Sequence, residues 1–217
     1  GDLVILNNLS TKKKLMLLPI IFILIVIVCA LVFSYFNQIN NQRIKTATQT
    51  DIFIQQVLKG RISVYQFLRV PSEQSAQKVK SDFKELDDFV KNLKPFLTEK
   101  ENIDLSNQIL KLSADYISNF DKFYQKRISD YNSGIQNESD EIPTIIKQMV
   151  TVGLELEEKL ALMNKNTIEL KSKSEKTMTL VLILIAIISI IIFLTFSIIL
   201  SNQLINSLKN FQKGLLS

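Results

Sequence analysis

The sequence predicts an all-α fold, a membrane-anchored antiparallel four-helix bundle whose first and last helices continue as two transmembrane helices. Two long apolar runs lie near the ends of the 217-residue chain. Glycine and proline, at five and four residues, are scarce and fall mainly between periodic stretches. In those stretches apolar residues recur at alternating spacings of three and four, which is typical of helices packed in a bundle.

The two apolar runs, residues 15–36 and 178–200, contain no charged residue. At about 1.5 Å per residue, each is long enough as a helix to cross a hydrocarbon core of about 30 Å. Three lysines at 12–14 precede the first run, and Lys209 and Lys213 follow the second. Because basic residues favour the cytoplasmic side, residues 1–14 and 201–217 are expected in the cytoplasm.

Residues 37–177 are then expected outside the inner membrane. A cleavable signal peptide is the competing interpretation of the first run. Its apolar part is longer than the hydrophobic region of a signal peptide, which has roughly 7–15 residues, so we favour an uncleaved anchor.

Four breakers divide residues 37–177 into four predicted helices: Pro71, Pro95, Gly134 and Pro143. The first two helices are expected at about 37–70 and 72–94, because proline disfavours helical geometry in the residue before it. The third is expected to start at a capping box formed by Thr98 and Glu101 and to end at Gly134. The fourth is expected to open near Pro143, after the polar segment IQNESDE, and to run without a break into the second apolar run.

Three of these helices carry regular apolar seams that predict one shared core. The seam residues are Ala76, Val79, Phe83, Leu86, Val90 and Leu93 in the second helix; Leu105, Ile109, Leu112, Tyr116, Phe120 and Phe123 in the third; and Ile146, Met149, Gly153, Leu156, Leu160, Met163, Thr167 and Leu170 in the fourth.

Composition argues against an enzyme. Histidine is absent, and Cys29, the single cysteine, lies in the first apolar run. The usual general base, metal ligand and nucleophile pairs are therefore missing outside the membrane, and we predict no catalytic residue, metal or cofactor. Residues 37–177 hold 21 Lys and Arg against 20 Asp and Glu, so the net charge of +5 arises mostly in the terminal segments. We therefore expect no nucleic-acid partner.

The last 17 residues, SNQLINSLKNFQKGLLS, carry a seam of Leu204, Leu208, Phe211 and Leu215. They resemble the start of the first HAMP helix, with Ser207 where the usual pattern has proline and with Leu-Leu after Gly214. Together with the order of spans and bundle, they make the chain resemble the N-terminal part of a bacterial methyl-accepting chemotaxis protein.

The resemblance implies a homodimeric receptor that binds small attractants or repellents across its dimer interface. It also implies that a displacement of the last helix passes through HAMP to a cytoplasmic region controlling a histidine kinase with its adaptor. That region is absent here, so the resemblance implies a fragment: sensor and membrane unit without output. Two alternatives stay open, the input module of a sensor histidine kinase and a membrane-tethered bundle that binds a partner protein and no solute.

The stretch VLKGRISVYQFLRVP, residues 57–71, holds the candidate site. At about 100° per residue, Arg61 lies at the centre of an apolar face that includes Val57, Val64 and Leu68. The same level of the fourth helix is expected at Gly153, where the missing side chain leaves space for a long side chain or a ligand.

Two roles are open for Arg61. It pairs with Glu157, one turn from Gly153, or it joins Tyr65 and Arg69 in presenting donors to an anion. Arg69 also lies about where the resemblance implies ligand arginines. The predicted ligand-binding residues are Arg61, Tyr65, Arg69 and Gly153, and the predicted solute is anionic, such as an amino acid or an organic acid.

Overall fold

A computed structural model describes residues 11–134 and 140–215. These residues form four α-helices, with a short 3-10 helix, Lys94–Phe96, after the second: α1 Thr11–Arg69, α2 Glu73–Leu93, α3 Lys100–Asn132 and α4 Glu141–Leu215. No strand occurs within the described ranges, which agrees with the predicted all-α class. The chain divides into two compact units, Asn40–Lys173 and the segments on either side of it in sequence.

The helix ends follow the local sequence signals. Helix α1 stops two residues before Pro71, and Ser72 caps α2 through two reciprocal bonds. The Ser75 amide donates to the Ser72 hydroxyl and the Ser72 amide donates to the Ser75 hydroxyl, each at 3.1 Å. Gly134 follows α3 with a φ of 64°, a left-handed conformation that glycine adopts without strain. The predicted ends of α1, α2 and α3 are therefore confirmed to within two residues.

The predicted capping box at the start of α3 is wrong. The helix begins at Lys100 with Glu99 at the N-cap, and no side chain caps it. The Glu99 carboxylate instead accepts a hydrogen bond from Arg43 of α1 at 2.9 Å. This contact between distant parts of the chain places Glu99 at the cap and leaves Thr98 before the helix. The polar loop that was expected before α4 lies mostly at 135–139, outside the described residues.

Within Asn40–Lys173, all four helices contribute to one hydrophobic core. The apolar seams predicted for α2 and α3 are buried throughout. In α4 the buried seam residues include Met149, Leu156, Leu160 and Met163. Aromatic rings close one region of the core, where Phe67 of α1 lies 5.3 Å from Phe120 and 5.7 Å from Phe123, measured between ring centroids. Edge-to-face geometry of this kind is favourable for aromatic pairs.

Polar contacts also join the helices inside this unit. The hydroxyl groups of Thr50 and Thr167, both buried, lie 2.8 Å apart and join α1 to α4. Between α1 and α2, the buried Asp82 carboxylate accepts hydrogen bonds from Ser63 and Lys78. These groups satisfy one another in places where an apolar seam is interrupted.

The other unit holds the two apolar runs. Each lies in a helix that is long and apolar enough to cross a membrane, judged by length and composition. Large apolar side chains such as Leu31 and Leu184 are exposed in these runs. The backbone of residues 201–215 is helical. The lysines at 12–14 and the predicted seam residues Phe211 and Leu215 lie outside the side chains that the structure describes.

Candidate ligand-binding site

A cleft of about 180 Å³ opens between α1 and α4. Its walls are mainly apolar, with two tyrosines and one pair of opposite charges. The lining residues are Arg61, Val64, Tyr65, Leu68, Tyr116, Phe123, Ile146, Met149, Val150, Gly153, Leu154 and Glu157. Three of the four predicted site residues, Arg61, Tyr65 and Gly153, are thus brought together.

Arg61 pairs with Glu157 across the cleft. The guanidinium Nη1 donates to Glu157 Oε1 at 2.8 Å, and the two side chains are 43% and 33% exposed. Interaction with the Tyr65 hydroxyl, followed by the charge of Glu157, raises the pKa of Arg61. An ion pair this exposed contributes at most about 1 kcal/mol to stability. The pair is therefore easily opened, so the structural pairing of Arg61 leaves room for a ligand.

The expectation that Arg61 occupies the centre of the packed face is wrong. The buried face of α1 includes Phe53, Gly60 and Phe67, while Arg61 is exposed. The face is rotated by about one residue because Gly60 packs directly against Phe83. Arg61 consequently lies at the edge of the core, where its charge meets both the cleft and solvent.

A packed layer to which each helix contributes one residue adjoins the cleft through Tyr116 and Gly153. Phe83 of α2 and Tyr116 of α3 stack with ring centroids 4.5 Å apart and planes 13° apart. A Cβ atom added to Gly60 would lie 2.9 Å from Phe83 Cε2, and one added to Gly153 would lie 3.2 Å from Tyr116 Cε2. Both glycines thus make space for an aromatic ring, which gives the packing reason for Gly153.

Tyr116 is a site residue that the sequence analysis placed only in the core. It is 7% exposed and lines the cleft. Burial raises the pKa of its phenol to about 12, with the charge of Arg61 opposing the rise. The phenol therefore stays neutral at physiological pH and can donate a hydrogen bond. Gly60 in α1 and Gly153 in α4, in a chain with only five glycines, were the sequence signal that large rings pack against these two helices.

Arg69 lies apart from this cleft. It borders an open surface depression together with Ser72, Glu73 and Lys78. The structure therefore separates Arg69 from the other three predicted site residues. In the described ranges, no group of three or more His, Cys, Asp or Glu side chains is placed to hold a metal ion.

Comparison with known protein families, with curated proteins and with solved structures finds no match for this chain.

Proposed function

We propose that the chain is the solute-sensing and membrane part of a bacterial transmembrane receptor of the methyl-accepting chemotaxis type. In this proposal residues 37–177 are a periplasmic antiparallel four-helix bundle, and residues 15–36 and 178–200 cross the inner membrane. Contacts between α1 and α4 support the antiparallel arrangement, since Thr50 meets Thr167 whereas Arg61 meets Glu157. Residues 201–217 would begin the HAMP-like helix that leads to a kinase-control region.

The cleft is the observation that carries this proposal. It combines apolar walls with a few polar groups, Arg61, Glu157 and two tyrosines, which is the usual character of a small-molecule site. Its volume of about 180 Å³ suits a small solute. The ion pair across it is partly exposed, so a solute can displace it at low cost.

Helix α4 supplies a route for the signal. It extends unbroken from Glu141 to Leu215 and so contains the cleft residue Glu157, the second apolar run and the start of the HAMP-like segment. A solute that enters the cleft pushes on α4 and shifts it relative to α1. Helix shifts of about 1–2 Å are a common means of transmitting such a signal.

An exposed seam on α1 supports the homodimer. Leu58, Ile62 and Tyr65 are 49%, 56% and 62% exposed and are spaced by four and three residues. This is the spacing of a two-stranded coiled coil, so a second copy of α1 can cover it. Tyr65 belongs to both the seam and the cleft, which places the proposed solute site beside the dimer interface.

The test uses the whole 217-residue chain in lipid nanodiscs. Thermal unfolding is followed while a panel of amino acids and organic acids is added one at a time. A solute at 100 times its dissociation constant stabilises the folded state by about 2.7 kcal/mol. We expect at least one solute to raise the melting temperature of the wild type and of Arg69→Gln, and to lose this effect in Arg61→Gln.

Arg69→Gln is the matched control because it removes a guanidinium from the same helix outside the cleft. No shift with any solute, in a chain verified to be folded and dimeric, contradicts the proposal. An equal rise in melting temperature in Arg61→Gln contradicts the assignment of Arg61 to the binding site.

A further inference from the structure

The polar wall of the cleft is electrically balanced. Arg61 contributes one positive charge and Glu157 one negative charge, 2.8 Å apart. The hydroxyl-bearing rings of Tyr65 and Tyr116, the other polar side chains that line the cleft, are close enough to interact with Arg61 and with each other. A solute that binds against this wall therefore meets the positive charge of Arg61 and the negative charge of Glu157 together.

This balance disfavours a purely anionic solute. To reach Arg61, such a solute has to displace the Glu157 carboxylate and then leave it facing a second negative charge. A purely cationic solute has the mirror-image problem, since it would release Arg61 toward a like charge. A solute that carries both charges replaces each half of the ion pair with a new one.

The remaining walls specify the rest of the solute. Val64, Leu68, Met149, Val150 and Leu154 surround the space next to the ion pair. An apolar group placed there removes exposed hydrocarbon surface from water, and Leu154 and Val150 are 61% and 54% exposed without it. A charged or strongly hydrated group would lose its water without gaining a polar partner.

We infer that the solute is a small zwitterion with an apolar body, whose carboxylate binds Arg61 and whose ammonium group binds Glu157. This inference rests on the proposed function and narrows the anionic solute expected from the sequence. Glu157 thereby changes from the structural partner of Arg61 into a ligand contact in its own right.

Four probes test separately the need for a carboxylate, for an ammonium group and for an apolar body. L-Leucine carries both charges and an apolar body. The compound 4-methylpentanoate is leucine without its ammonium group, 3-methylbutylamine is leucine without its carboxylate, and glycine keeps both charges without the apolar body. Isothermal titration calorimetry on the full chain in nanodiscs measures each dissociation constant. We expect leucine to bind at least about tenfold more tightly than each of the other three.

The variant Glu157→Gln sharpens the test because it keeps the shape of the side chain and removes its charge. It should weaken leucine binding about tenfold and strengthen 4-methylpentanoate binding, since Arg61 then lacks its competing partner. Glu155→Gln is the matched control because Glu155 is exposed and lies outside the cleft. It should change the dissociation constant of neither leucine nor 4-methylpentanoate.

The outcomes distinguish this inference from the proposed function. Tighter binding of 4-methylpentanoate or of 3-methylbutylamine than of leucine overturns the zwitterion and leaves the solute site standing. The same holds if none of the four probes binds while a solute that lacks one of the two charges stabilises the chain through Arg61. If neither these probes nor the wider thermal panel binds, both the inference and the proposed function fall.

Discussion

Phe83 of α2 stacks on Tyr116 of α3 with ring centroids 4.5 Å apart, and Tyr116 also lines the cleft between α1 and α4. Gly60 lies against the first ring and Gly153 against the second. Each helix of the Asn40–Lys173 unit thus contributes one residue to a single tight layer. The layer fixes the position of Tyr116, which forms part of the cleft wall, so packing and site geometry are linked.

The tightness of this layer predicts that Gly60→Ala destabilises the protein. The new Cβ would lie 2.9 Å from Phe83 Cε2, and the stack on Tyr116 restricts how far Phe83 can move. Alanine gains about 1 kcal/mol in helix propensity, whereas overpacking costs about 1–3 kcal/mol. We therefore expect a net loss of up to about 2 kcal/mol in the free energy of unfolding, measured by urea unfolding in micelles with circular dichroism.

A smaller ring partner provides the control for that substitution. Phe83→Leu removes the atoms nearest to position 60, so Gly60→Ala should cost less in the Phe83→Leu background. The coupling between the two positions should reach at least about 0.5 kcal/mol. Additive effects, or a stabilising Gly60→Ala, would show that the layer has more room than the geometry indicates.

Two aspartates on α2 predict opposite dependences of stability on pH. Burial alone would raise the pKa of Asp82, but hydrogen bonds from Lys78 and Ser63, together with the charges of Lys78 and Lys59, lower it. Burial raises the pKa of Asp87 above its usual value, and the nearby Ser113 hydroxyl and the charge of Lys91 only partly oppose this rise. Asp82 therefore favours the ionised carboxylate in the folded state, whereas Asp87 favours the protonated form.

The sign of each contribution follows by linkage from an ordinary aspartate pKa of about 3.9. Stability from Asp82 is present above that pH and is lost as the pH falls through its lowered pKa. Stability from Asp87 is present below that pH and is lost as the pH rises through its raised pKa. Asp82→Asn should therefore lower the free energy of unfolding at pH 7 and flatten its fall in acid, whereas Asp87→Asn should raise it at pH 7. Urea unfolding at a series of pH values checks both, and the same direction of change in the two variants contradicts this assignment.

The buried contact between Thr50 and Thr167 predicts a third effect on stability. Thr50→Val removes the hydroxyl that also bonds to Asn164 Oδ1 at 2.9 Å. Because the Thr167 hydroxyl keeps its bond to the Asn164 carbonyl at 2.8 Å, the loss is that of an ordinary hydrogen bond, about 0.5–1.5 kcal/mol. Replacing both threonines by valine should cost at least about 0.5 kcal/mol less than the sum of the single changes, because each single change already removes the hydrogen bond between the two hydroxyl groups.

Thr151→Val is the matched control for the threonine pair. Thr151 is exposed and its hydroxyl bonds only to the Lys147 carbonyl of its own helix, at 3.0 Å. Its replacement should change the free energy of unfolding by no more than about 0.5 kcal/mol. Equal effects at positions 50 and 151 in thermal or urea unfolding would refute a special role for the buried layer.

Local signals predicted most of the helical framework. Pro71 and Gly134 gave the ends of α1 and α3 because their backbone preferences act within a residue or two. The seams of α2 and α3 were predicted correctly because apolar spacing alone decides which face packs inward. The pairing of Arg61 with Glu157, one of two open alternatives, followed from matching levels along two helices.

The errors arose where distant contacts override local patterns. Glu99 occupies the N-cap position of α3 in place of Thr98, and its carboxylate binds Arg43 of α1 and not the helix. The buried face of α1 is centred on Gly60 because Phe83 fills the space that a glycine leaves, and hydropathy assigns no packing value to that residue. Arg69 was grouped with Arg61 by helical spacing, but it borders a different surface. None of these contacts is encoded within a single helical turn.

We expect a solute in the cleft to displace α4 relative to α1. Spin labels are attached at Asp51→Cys in α1 and Lys165→Cys in α4, both exposed positions, in a Cys29→Ser background. Pulsed electron paramagnetic resonance then measures the distance between the two helices. Excess unlabelled chain restricts the measurement to pairs within one copy. A saturating solute from the thermal screen should shift the mean distance by about 1–2 Å in the labelled chain and leave it unchanged after Arg61→Gln. An unchanged distance in a sample that demonstrably binds the solute through Arg61 would contradict signal transmission by a shift of α4.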